Sequence, residues 1–269
     1  GAYRLPLYST LPPCPQTPVN PGPQASPFYT GCLTIAVGQL INYHLSQDYG
    51  PAWLTRMPVG IEARPRYEMQ QNSWLCHLDR TEDVAELPAD PSSHYAIAMS
   101  HDGSGSDNPE DLRLRRFLWQ VALGLDSRFR DPLIAFARYP SDLDRDVPQK
   151  LKRMLRDRFS FTVGDPAEGN FDAPRLSDVT SQITTEIDRQ QPVLVLFRGT
   201  ARNGDSVQHA GLIDGYRRRA DDGFDFHLNL GWDNRDESNT WYAGEAPVQA
   251  RGFTFNEFTV LTGIRPRLD

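Results

Sequence analysis

The sequence is poor in cysteine: 269 residues hold three, Cys14, Cys32 and Cys76. So few exclude a disulfide-scaffolded domain, and no CxxC pair offers a zinc site. An odd number leaves at least one thiol outside any disulfide. Cys14 and Cys76 could pair, or both could be thiols. Long apolar runs are also missing. The most apolar stretch, "PVLVLF" from Pro192 to Phe197, is strand-sized, far short of the roughly 18 residues of a membrane span. Positive charge is not in excess, since the formal net charge is -7. The electrostatic footprint of a nucleic-acid binder is therefore absent. There is no internal repeat. No signal peptide opens the chain, which says little about location.

What is present is a globular composition. Hydrophobic residues make up 39% and aromatics 10%, which supports a core and argues against a disordered chain. The length suits one large domain or two small ones. Residues 1–29 are dense in proline, as in "LPPCPQTPVNPGPQASP". Proline fixes φ and removes a donor, so this segment reads as an extended lead-in.

At "TGCLTIAVGQLINYH", Thr30 to His44, the pattern changes. Leu33, Ala36, Val37, Leu40, Ile41 and His44 recur at helical spacing, with Thr30 or Gly31 as the cap. Residues 45–110 read as loop-rich, with short strands possible. Helices are predicted over Asp111 to Leu125, Pro148 to Phe159 and Leu176 to Gln190. After Gln190 the period shifts to that of strands: "PVLVLFRG", "QHAGLIDGYRR", "FDFHLNLGW" and "GFTFNEFTVLTG". Helices first and an antiparallel sheet after them is an α+β arrangement.

Cys32 heads the first helix. It is either a small buried hydrophobe or a nucleophile. A nucleophile needs the thiolate, whereas a thiol with a pKa near 8.5 is mostly protonated at neutral pH. A helix N-terminus and a nearby imidazolium are the two devices that favour the anion. His44 lies 12 residues along the same helix, about 18 Å away, and cannot supply the imidazole. His77, His94 and His101 lie in loop-like surroundings. His209 begins the strand "HAGLIDGY", and a strand mouth is where a base can be both fixed and exposed. If that strand pairs with "FDFHLNLGW", Asn229 could come near His209. Its amide oxygen would then accept the ring N–H and set the tautomer.

These segments resemble the streptopain family of papain-clan cysteine peptidases. "TGCLTIAVGQLINYH" is similar to that family's nucleophile segment, TGC-x-A-T-A-x-x-Q-x-x-x-Y-H. "QPVLVLFRG", "QHAGLIDGY" and "FHLNLGW" are similar to its second block, with a "GHAFVIDGY"-like strand and an "HxNWGWGG" segment. Order and spacing both agree. The resemblance implies a papain-like fold, in which a helical part of about 30–190 carries the nucleophile and packs on a sheet of about 191–269. It implies Cys32 as nucleophile, His209 as general base and acid, Asn229 beside the histidine and Trp232 as a supporting aromatic. The chain departs from the family at Leu230, where the first tryptophan stands, at Asp233 and Asn234 for the glycine pair, and at Gln208 for the glycine before the base. The family's upstream oxyanion glutamine has no counterpart in "YSTLPPCP", Tyr8 to Pro15. Gln16 or Gln24 could take its place beside the Cys32 N–H.

The expected activity is endopeptidase cleavage through an acyl-enzyme, with no metal or organic cofactor. Two other activities fit the same residues: acyl transfer of the glutamine deamidase or transglutaminase kind, and a weak or inactive relative that binds through the same cleft. The expected partners are a protein or peptide substrate and a propeptide or protein inhibitor, with no nucleic acid and no membrane span. The resemblance also implies a secreted or periplasmic protein.

Overall fold

The structure, a computed structural model, describes residues 2–4, 18–19, 28–29, 31–54, 63–70, 73–80, 118, 121, 125, 129–130, 147–170, 176–231 and 239–269. Strands β1 (Ala2–Arg4), β2 (Pro18–Val19) and β3 (Phe28–Tyr29) come before helix α1 (Cys32–Leu45) and the short α2 (Gly50–Leu54). A hairpin of β4 (Ala63–Gln70) and β5 (Ser73–Arg80) follows, then β6 (Phe129–Arg130). Next are α3 (Val147–Phe159), β7 (Phe161–Thr162), β8 (Ala167–Asn170) and α4 (Leu176–Asp188). The remaining described elements are strands: β9 (Val193–Ala201), β10 (Ser206–Arg218), β11 (Phe224–Asn229), β12 (Asn239–Ala243), β13 (Val248–Ala250), β14 (Phe253–Leu261) and β15 (Arg265–Pro266).

The main sheet is antiparallel, in the order β12-β11-β10-β9-β14-β13, with β1 added to β10 and β8 to β14. β9 lies at its centre. Its run Val193, Leu194, Val195, Leu196 and Phe197 is buried residue after residue, as expected of a strand covered on both faces. The β10–β11 hairpin and the strand periods of the last block thus agree with the sequence.

α1 packs on β10 and β9. Ile35, Val37, Leu40 and Ile41 are fully buried, each burial contributing roughly 1.5–3 kcal/mol. A helix apolar on most of its faces belongs inside. α4 is amphipathic instead. Val179, Ile183 and Ile187 are buried four residues apart, while Ser181 and Gln182 face solvent.

Two differences from the sequence reading follow. The lead-in takes part in sheets: β1 pairs with β10, and β2 with β3. Within 45–110, β4 and β5 are eight residues each, not merely short strands. Of the helix expected over 111–125, only Leu118, Val121 and Leu125 are described. Leu118 and Val121 are helical and Leu125 is in a turn.

Candidate active site

α1 begins at Cys32 because Gly31 can adopt the cap conformation that precedes it. Gly31 has φ 84° and ψ 155°, a region that L side chains avoid. No side chain caps this end, and the first turn holds no acidic residue. The positive end of the helix dipole is therefore uncancelled by any carboxylate of that turn, next to the sulfur. Cys32 is half-buried and belongs to no disulfide. An anion at this sulfur is favoured.

His209 lies in β10, opposite Phe197 of β9. It is 6% exposed and stacks on Phe255, with ring centroids 6.0 Å apart. Its Nε2 is 2.7 Å from the Leu230 carbonyl oxygen. A carbonyl only accepts, so Nε2 carries the hydrogen. The neutral ring is thereby fixed in the Nε2–H form, and Nδ1 keeps the basic lone pair.

Asn229 is placed differently from its expectation. The register sets Leu212, not His209, opposite Asn229. His209 is three positions further along the ladder, about 10 Å at strand spacing. The Asn229 Oδ1 accepts instead from Gln39 Nε2 of α1 at 3.2 Å and from the Gly231 N–H at 3.1 Å. The bond that fixes the His209 ring is accepted by the carbonyl of Leu230, the residue after Asn229. Sequence reasoning missed this group because a backbone carbonyl is present at every position. It also gave Gln39 no role, although Gln39 lies seven residues after Cys32, two helical turns along the same face.

Gly231 ends this segment in the left-handed region, with φ 67°. A β-carbon there would lie 2.7 Å from the Cγ2 of Ile35. Trp232, Gln16 and Gln24 lie outside the described residues, as do His94 and His101.

Two other histidines are buried away from this arrangement. His44 is fully buried at the far end of α1, with Nδ1 2.7 Å from the Tyr49 hydroxyl. Tyr43, Trp53 and Phe161 surround it. Burial holds its pKa down at about 3. His227 bonds through Nδ1 to Oδ1 of Asp214, and both side chains are buried. Among the described residues, no group of three or more His, Cys, Asp or Glu is placed to hold a metal, and no helix is long and apolar enough to cross a membrane.

The chain is similar to one family model over part of its length and to solved structures in its fold. Residues 133–242 match the family model of the Peptidase C10 family, a segment that includes His209 and Asn229 and stops short of Cys32. The active wild-type interpain A cysteine protease of Prevotella intermedia superposes with a TM-score of 0.60 at 17% identity, covering 97% of this chain and 94% of that one. A prointerpain A fragment of the same organism, a cysteine-to-alanine mutant, superposes at 0.57 and 16% identity, covering 99% and 73%. No curated protein matches in sequence. The fold is thus the papain-like fold of the two interpain A structures, and residues 133–242 are similar to the Peptidase C10 family.

Proposed function

We propose that the chain cleaves peptide bonds through a Cys32–His209 dyad and an acyl-enzyme. The observation that carries this reading is the bond from His209 Nε2–H to the Leu230 carbonyl. It holds the ring and leaves Nδ1 as the base, as a thiol-activating histidine requires.

The packing of α1 supports the pairing. Gln39 bonds Asn229, and Ile35 abuts Gly231. Those four helix residues rise about 6 Å, and the two strand residues advance about 6.6 Å. Helix and strand thus run side by side at matched pace. Cys32 is three residues before Ile35, about 4.5 Å further along. The row beyond Gly231 is that of His209, counted from the pairing of Leu212 with Asn229.

In this mechanism Nδ1 takes the thiol proton and the thiolate attacks the scissile carbonyl. The Cys32 N–H donates to the oxyanion. The imidazolium returns its proton to the leaving amine as the C–N bond breaks, leaving a thioester. Water then attacks the thioester while Nδ1 takes its proton. The carboxylic acid departs and the thiol is restored. The substrate is a protein or peptide, the whole chain acts as one papain-like unit with 1–29 as its lead-in, and a secreted or periplasmic location fits this use.

A peptidyl probe with a thiol-reactive acyloxymethyl ketone tests the reading. It should label the protein at Cys32 and block turnover of a casein or peptide substrate, and Cys32→Ala should abolish both. Equal turnover in Cys32→Ala would overturn the dyad. Ammonia release from glutamine peptides, without chain cleavage, would place the same dyad in a deamidase.

A further inference from the structure

We infer that Gln39 is a positioning residue for the reaction: through Asn229 and Gly231 it aims the carbonyl that fixes the His209 ring. The inference rests on the dyad proposed above. The chain of contacts is short. Gln39 Nε2 donates to Asn229 Oδ1 at 3.2 Å, and the same oxygen accepts from the Gly231 N–H at 3.1 Å. Between Asn229 and Gly231 lies Leu230, whose carbonyl accepts from His209 Nε2 at 2.7 Å. One oxygen thus brackets the residue that orients the base.

The bracket is needed because regular pairing ends here. The last β10–β11 pair is Leu212 with Asn229, and Gly231 turns away at φ 67°. Among the described residues, Leu230 has no ladder partner to set the direction of its carbonyl. The Asn229 side chain supplies that restraint, and Gln39 ties it to α1. Because α1 also carries Cys32, one hydrogen bond couples the element of the nucleophile to the segment that holds the base.

The chemistry at Gln39 itself points the same way. Its Oε1 is buried with no hydrogen-bond partner among the described residues. A desolvated oxygen without a bond costs stability. A methionine of similar shape would pack there without that cost. Asn229 Oδ1 would keep its bond from Gly231 in that case. The amide at 39 thus gives Asn229 a donor while its own oxygen costs stability.

The test compares four variants of the full chain. Gln39→Met should keep or raise the thermal midpoint while kcat, per titrated active site, falls about tenfold, the scale of one lost hydrogen bond. KM should change much less. Asn229→Leu should fall in the same way, and the double variant should lose no more than either single one. Asn229→Asp keeps an acceptor for both donors and should retain kcat within about threefold. A lowered midpoint with unchanged kcat in Gln39→Met would make Gln39 merely structural and overturn the inference. So would equal losses in Asn229→Asp and Asn229→Leu, a comparison that stands even if Gln39→Met does not fold. Activity in Cys32→Ala would instead remove the dyad, a separate failure.

Discussion

The Cγ2 methyl of Ile35 fills the space that a side chain at position 231 would enter, 2.7 Å from where its β-carbon would begin. Gly231 also sits at φ 67°, where other residues are strained by about 1–3 kcal/mol. Gly231→Ala therefore meets two obstacles. It should lower stability and, by moving α1 from Leu230, reduce turnover as well. Ile35→Ala removes the colliding methyl but not the φ strain. In a denaturant-unfolding cycle the double variant should thus be less destabilised than the sum of the single ones. Simple additivity would show that helix and strand do not share this space.

The two buried sheet histidines should separate in their effects. His227 bonds Asp214, which is 0% exposed. His227→Ala deprives a buried carboxyl of its imidazole and should cost about 3–5 kcal/mol, with kcat per folded molecule retained. His209→Ala should do the opposite, removing turnover with the smaller loss of stability. Urea unfolding alongside active-site-titrated kinetics makes the comparison. A stable but inactive His227→Ala would bring His227 into the chemistry.

Strong periods were legible in the sequence, and irregular backbone was not. α3 and α4 lie at Val147–Phe159 and Leu176–Asp188, where the apolar spacing predicted helices. β9, β10, β11 and β14 coincide with the four strand segments, since continuous or alternating apolar residues with β-branched side chains leave little choice. The β4–β5 hairpin was underestimated. Its signal was present: Arg64, Arg66 and Glu68 alternate with Pro65, Tyr67 and Met69, but a proline within a run argues against a strand. The location of Cys32 at a helix start and the hairpin that carries His209 were both legible. The partner of His209 was not. Pairing could be read from the pattern, but register depends on where the turn closes, and it sets Leu212 rather than His209 opposite Asn229.

His44 should make stability depend on pH. Buried with its Nδ1 at the Tyr49 hydroxyl, it stays neutral down to about pH 3 in the folded protein, against 6.5 for the ordinary group. A folded pKa below the unfolded one means that the unfolded chain binds the proton first. The contribution is complete above pH 6.5 and is lost as pH falls toward 3, at up to about 1.4 kcal/mol per pH unit. Tyr49 titrates far from this window, since burial raises it to about 12. His44→Phe keeps a ring against Trp53 and Phe161 and removes the titrating group. Its unfolding free energy, measured by urea from pH 7 to pH 4, should fall less steeply, by close to one proton. An unchanged slope would mean that His44 is not the group being protonated.

Cys32 should be the one reactive thiol of the three. It starts α1 at an end with no side-chain cap and no acidic first turn, so the helix dipole favours its anion. On the dyad reading, the His209 imidazolium adds to that preference. Cys14 lies between prolines and Cys76 lies in the β5 strand beside His77, and neither position combines a helix start with a base. At about pH 5.5 an ordinary thiol near pKa 8.5 is about 0.1% thiolate and reacts slowly. Iodoacetamide should therefore alkylate Cys32 far faster than Cys14 or Cys76 in the native protein. His209→Ala should slow labelling of Cys32 and leave the other two unchanged, because only Cys32 loses its counter-ion. Brief alkylation followed by site-resolved mass spectrometry reads all three sulfurs at once. Labelling of Cys32 only after denaturation would make it a buried packing residue, and the nucleophile would have to be sought elsewhere in the chain.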